Sequence, residues 1–143
     1  MKWTLAILIS FIFSFSISAQ SKGSPLGVWR TIDHESGEPK SHVEIYKSGN
    51  EWKAKVVKLL EVPDDTICTA CPGDKKNKPV KGMVIMSGMT QNKDKYTGGT
   101  ILDPKDGKEY KCQMWMEDKD RLAVRGYVGM VTFGRTQVWE RVK

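Results

Sequence analysis

"EYKCQMWME", residues 109–117, alternates without a break: Tyr110, Cys112, Met114 and Met116 fall on one side of an extended chain, and Glu109, Lys111, Gln113, Trp115 and Glu117 on the other. Successive side chains of a strand leave opposite faces, so this period of two predicts a half-buried β-strand. "DPKDGK" (103–108) leads into it, with Pro early and Asp-Gly late, the chemistry of a tight turn. The stretch before that turn, "YTGGTIL" (96–102), reads as the partner strand of a hairpin, with Gly98-Gly99 marking a bulge or bend.

The same habit extends in both directions. Downstream, "RLAVRGYV" (121–128) and "FGRTQVWERV" (133–142) are strand-like. Upstream lie "MVIMSGMT" (83–90) and "EWKAKVVKLLEV" (51–62), where Trp52, Ala54 and Val56 alternate with Lys53 and Lys55. Before them come "SHVEIYK" (41–47), with Val43 and Ile45 opposite His42, Glu44 and Tyr46, and "LGVWRTID" (26–33). That makes eight strands and no amphipathic helix. Eight short antiparallel strands must each bury one face and must not leave long edges unpaired. An all-β, eight-stranded antiparallel up-and-down barrel meets both demands. A two-sheet β-sandwich is the alternative that accepts the same pattern.

The first residues differ in kind. Lys2 precedes an apolar run over 5–17, and Ser18-Ala19 gives a small-residue exit, the layout of a secretory signal peptide cleaved after Ala19. The run is too short for a bilayer-spanning helix, which needs about 20 apolar residues. The sequence thus divides into a signal peptide over 1–19, a flexible N-terminal segment over 20–25 and a single β domain over 26–143. The mature chain would hold 124 residues with a net charge of +5. We expect an exported monomer, periplasmic or secreted, not membrane-spanning after cleavage. Its charge is too diffuse for a nucleic-acid partner.

Two of the three cysteines stand close together, in "TICTACPGDKKNKPVKG" (66–82). A zinc site needs about four ligands; Cys68 and Cys71 supply two, and only Cys112, His34 and His42 remain to complete it. A thioredoxin-like dithiol needs a helix start behind it to lower the thiol pKa, whereas Pro72-Gly73 turns the chain. Export favours a disulfide. A Cys68–Cys71 bridge closes four residues, worth about 2 kcal/mol by chain entropy, and a Cys68–Cys112 bridge closes 45, worth about 4 kcal/mol. Because Cys112 shares its strand face with Tyr110 and Met114, we expect it buried and reduced, with Cys68 and Cys71 paired.

The connection carrying this pair is about 20 residues long among turns mostly under eight, and loops of that length are commonly lids or binding loops. Its Lys75, Lys76, Lys78 and Lys81 suit contact with an anionic ligand or envelope component. No nucleophile–base pairing, phosphate loop or His-Glu metal motif is visible, so we expect neither catalysis, metal nor cofactor; Asp103, Asp106 and Gly107 read as turn chemistry. Met83, Met86, Met89, Met114 and Met116 give the expected interior an adaptable lining. With Tyr110, Val43, Ile45, Leu122 and Val124, the residues Met83, Met114 and Met116 are the candidate lining for a small apolar or amphipathic ligand.

"GVWRT" near the start, "GGTILDPKDGKEYKCQMWME" in the middle, and "RLAVRGYVG" through "GRTQVWERV" at the end resemble the bacterial exported family DUF2147. The resemblance spans about residues 26–142 and implies no particular activity. At the level of fold, Gly27-Val28-Trp29 on the first strand and an arginine on the last, Arg141 or Arg135, resemble the lipocalin and calycin pattern. That resemblance implies a guanidinium lying on the Trp29 indole to close one barrel end. Two functions stay open: a non-catalytic ligand-binding barrel, or an envelope structural or protein-interaction domain with a filled core that meets a partner through the lysine loop or Trp115.

Overall fold

Each alternating stretch forms a strand. The computed structural model describes residues 21–143, so the expected signal peptide lies outside the described residues. The strands are β1 (Gly27–Ile32), β2 (Pro39–Ser48), β3 (Glu51–Leu59), β4 (Ile67–Cys68), β5 (Lys78–Pro79), β6 (Val84–Asn92), β7 (Lys95–Asp103), β8 (Lys108–Asp118), β9 (Arg121–Tyr127) and β10 (Gly134–Arg141). Eight of them close an antiparallel barrel in the order β1-β10-β9-β8-β7-β6-β3-β2, while β4 and β5 pair as a separate ribbon. The sequence predicts eight strands; the two it misses are two residues each, too short for any periodicity, and both lie inside the long loop.

Parity is kept around the barrel. On β8, Cys112, Met114 and Met116 are buried, whereas Glu109, Lys111 and Glu117 are exposed. The expected irregularity at Gly98-Gly99 is present as a register shift between β7 and β8 spanning Tyr96 and Gly99. Trp29, Val43, Ile45, Met86, Met89, Met114 and Leu122, all at most 2% exposed, meet in one core. Tyr96 adds an edge-to-face contact with Trp52 at 5.0 Å between ring centres. Each such side chain contributes about 1.5–3 kcal/mol by leaving water.

Because neighbouring strands run in opposite senses, the connections sort to two ends. The turns at 49–50, 93–94 and 119–120 lie at one end, with both termini of the sheet; the loops 33–38, 60–83, 104–107 and 128–133 lie at the other. The first end is closed by Arg141, whose guanidinium stacks on Trp29 at 4.3 Å. It also donates to the carbonyls of Ser24, Leu26 and Lys119, each at 2.8 Å. Trp29 Nε1 donates to the Pro25 carbonyl at 2.7 Å. Gly27 makes room for this arrangement: its φ is +123°, and a Cβ there would stand 2.9 Å from Arg141 Nη1. The segment over 20–25, read from sequence as flexible, is therefore tied down at its described end: Pro25 is fully buried, and Ser24 and Pro25 each give a carbonyl to the closure.

Candidate functional site at the loop end of the barrel

The loop end is assembled from connections far apart in sequence. The 60–83 loop begins where β3 runs out of alternation, and its β4–β5 ribbon folds it back on itself. Asn77 N–H donates to Cys68 O at 2.7 Å and Val80 N–H to Thr66 O at 3.0 Å. Cys68 and Cys71 are joined in a disulfide, and both are buried, at 1% and 2% exposure. Cys112 is a free buried thiol, and burial pushes its pKa up to about 12, so it stays protonated and inert.

The staple joins the loop to the core rather than hanging in solvent. Cys68, Cys71, Val80 and Met83 belong to the same core cluster as the barrel interior. Cys68 Sγ lies 3.2 Å from the Pro104 carbonyl, a contact and not a hydrogen bond, since a disulfide sulfur has no proton to give. At Gly107 the turn between β7 and β8 meets the loop so closely that a Cβ would fall 1.8 Å from the Ala70 oxygen, and its φ of +72° also favours glycine. The loop is thus seated against the 104–107 turn.

Two ion pairs strap the same turn to the opposite wall. In the circular order of strands, the β1–β2 and β7–β8 connections stand across the barrel from each other. Lys105 Nζ reaches Asp33 Oδ2 at 3.1 Å, and Lys40 Nζ reaches Asp103 Oδ1 at 2.7 Å. Asp33 is only 1% exposed, and its other oxygen accepts the Ser36 and Glu35 N–H groups at 2.9 Å each. The Ser36 N–H above all, then Lys105 and the Glu35 N–H, outweigh burial and hold its carboxyl well below the usual carboxylate range. Asp103, Asp106 and Gly107 do form the turn, through Lys105 N–H to Asp103 Oδ1, Lys108 N–H to Asp106 Oδ1 and Gly107 N–H to Asp103 O. The strap formed by Asp103 and Lys105 is what sequence reasoning missed. Its partners lie 63 and 72 positions away, and no local pattern carries that distance.

The candidate ligand lining is placed as follows. Val43, Ile45, Met83, Met114, Met116, Leu122 and Val124 are all buried at 0–7% exposure, and Tyr110 is half-buried. Apart from Tyr110 they pack on one another in the core cluster. Two grooves open on the surface instead. One, of about 410 Å³, is lined by Lys75, Lys78, Pro79, Lys81, Gly82, Met83 and Val84, and so lies between the stapled loop and the start of β6. The other, of about 460 Å³, is bounded by Ile32, Asp33 and His34 on one side and by residues 135–138 on the other. It lies where β1 and β10, paired only at Trp29–Arg141 and Arg30–Glu140, part company.

Of the four loop lysines, Lys81 is paired with Asp64 at 3.0 Å; Lys75, Lys76 and Lys78 make no ion pair among the described residues. Trp115, considered from sequence as a contact residue, is half-buried: Lys95 covers its ring at 5.4 Å and Glu117 accepts its indole N–H. Of the two arginines considered for Trp29, Arg141 is the one that stacks, while Arg135 lines the second groove. His34 lies in that groove. His42 has its pKa lowered, first by burial and then by Lys58 and Arg30, and so is neutral at neutral pH. Among the described residues no three His, Cys, Asp or Glu side chains gather as metal ligands would.

A family described as uncharacterized proteins conserved in bacteria, DUF2147, matches residues 27–141. No curated protein matches the chain. Among solved structures it is similar to HP1028 of Helicobacter pylori, described as belonging to the lipocalin family. The two share 21% identity at a TM-score of 0.76, over 85% of this chain and 84% of that one. At that identity the likeness is one of fold.

Proposed function

The chain belongs to the DUF2147 family, and we propose that it is an exported, non-catalytic barrel that binds an amphipathic anion in the groove beside its stapled loop. The observation that carries this reading is the groove itself, whose lining joins the apolar Pro79, Met83 and Val84 to Lys75, Lys78 and Lys81. An acyl chain ending in a carboxylate or phosphate matches both chemistries at once. The disulfide suits an oxidising, exported setting. The loop's seating on the core spares the ligand the cost of ordering it.

Titration with sodium dodecanoate below its micelle concentration tests this. One equivalent should bind, and Lys75→Ala/Lys78→Ala should weaken it about tenfold, as should replacing the acid with dodecanol. Equal binding of the alcohol, or no effect of the double variant, overturns the reading. A second reading, with the ligand inside the barrel, is favoured by the methionines of the interior, which can repack around a guest. Brominated dodecanoate separates the two: it should quench the buried Trp29, Trp52 and Trp139 only if its chain lies among them.

A further inference from the structure

The loop from β9 to β10 exposes apolar residues that the fold does not use. Val128, Met130 and Phe133 are 66%, 65% and 70% exposed, and Val131 42%. Four large apolar side chains within six residues are too many for chance surface scatter. They also sit on a braced scaffold. Arg125 spends its guanidinium on this loop, donating to Val131 O at 2.8 Å, Thr132 O at 3.1 Å and Thr136 Oγ1 at 3.0 Å. Phe133 N–H donates to Met130 O at 2.9 Å and Val128 N–H to Phe133 O at 3.3 Å.

That bonding bears on what the loop can enter. A peptide group carried out of water without a partner is costly, and here carbonyls of Met130, Val131, Thr132 and Phe133 are already satisfied within the chain. The loop therefore presents apolar side chains outward over a backbone whose last four carbonyls are met within the chain. Charge adds a preference. Arg125 and Arg135 are the only charged residues from 122 to 139, and Lys111 stands opposite Tyr127 on β8. Glu109, two positions before Lys111, follows Lys108 in the chain.

We propose that residues 128–133 are a docking tip for an anionic lipid surface, with Phe133 and Met130 entering the acyl boundary and Arg135 and Lys111 at the headgroups. A second copy of the chain fits less well: a stable protein interface needs about 800 Å² from each partner, more than one six-residue tip offers, whereas a bilayer accepts a small convex one. The tip lies at the loop end of the barrel, between β9 and β10, across the circle of strands from the β3–β6 loop.

The test is flotation with vesicles of phosphatidylethanolamine and phosphatidylglycerol at 7:3, and with phosphatidylcholine alone, keeping the same N-terminus in every variant. The wild-type chain should float with the anionic vesicles and about tenfold less with the neutral ones. Met130→Ser/Phe133→Ser should lose at least tenfold of the anionic binding while its circular dichroism and Tm stay unchanged. Phe133→Trp should gain a blue-shifted emission component on adding anionic vesicles. A wild-type chain that stays in the aqueous layer, or a double variant that floats as well as wild type, overturns the proposal. So does a wild-type dimer that the double variant dissolves without any vesicle binding.

Discussion

The two ends of the barrel are closed by different means. At one end a single indole and a single guanidinium do the work: Trp29 is 0% exposed, and Arg141 covers it while collecting three carbonyls. At the other end no residue dominates. A disulfide-stapled loop, two ion-pair straps and a close approach of Gly107 to Ala70 share the task. The first closure is concentrated and buried, so damage there should be global. The second is distributed and partly wet, so damage there should be local. This is the difference expected between an end held by one buried pair and an end held by many local contacts.

The sharpest way to break the comparison is Trp29→Ala. Removing the side chain leaves a large void and takes away the ring on which the Arg141 guanidinium stacks; by the cost of aromatic truncations in cores it should lose about 3–5 kcal/mol. Urea denaturation followed by tryptophan fluorescence would measure it, and the loss should appear as a lower midpoint of one cooperative transition. Arg141→Ala comes next. It removes a stacked cation and three charge-assisted hydrogen bonds but leaves a partly exposed site that water can enter, so about 2–3 kcal/mol is expected by the same assay.

Opening the staple should cost less and act elsewhere. Cys68→Ser/Cys71→Ser releases a four-residue loop, about 2 kcal/mol on the chain-entropy estimate. Because the loop also packs Val80 and Met83 onto the core, hydrogen exchange should quicken first at Asn77 and Val80, whose N–H groups tie the β4–β5 ribbon. The strands far from the mouth, β9 and β10 at Trp139, should keep their protection. If exchange rose evenly through the barrel, the two ends would not be independent.

How much of this was legible in the sequence follows the same division. Period-two alternation on β8, β2 and β3 is a local property, so it revealed the strands, the bulge at Gly98-Gly99 and the barrel. The cysteine pairing was legible because only one partner lay close by and the third cysteine shared a face with Met114. The closed end was legible only through the resemblance of Gly27-Val28-Trp29 to the lipocalin pattern, which left Arg141 and Arg135 both open until the stacking on Trp29 chose Arg141. The straps were not, since Asp33 and Lys40 meet Lys105 and Asp103 only when the sheet has curved through half a circle. Nor was it legible which inward side chains meet: alternation tells which side chains point inward, but how their volumes meet across the barrel's bore depends on the closed sheet.

The smallest effect expected is also the most specific to the loop end, and it is a pH dependence. Asp33 is held well below the usual carboxylate range by the Ser36 N–H, Lys105 and the Glu35 N–H, whereas in the unfolded chain it should titrate near about 3.9. In acid the unfolded state therefore takes up the proton first, and stability falls as pH falls. The contribution is fully present above the unfolded value and should fade from about pH 5 downward. Asp33→Asn removes that proton difference while keeping a side chain that can still accept the turn's N–H groups. The variant should melt lower than wild type at pH 7, and the gap should narrow between pH 5 and pH 3. In wild type alone, the protection of amides in residues 33–38 and 104–107 against exchange, relative to their intrinsic rates, should also fall on acidification. A gap that stayed constant with pH would mean that the Asp33 charge is not what holds the strap.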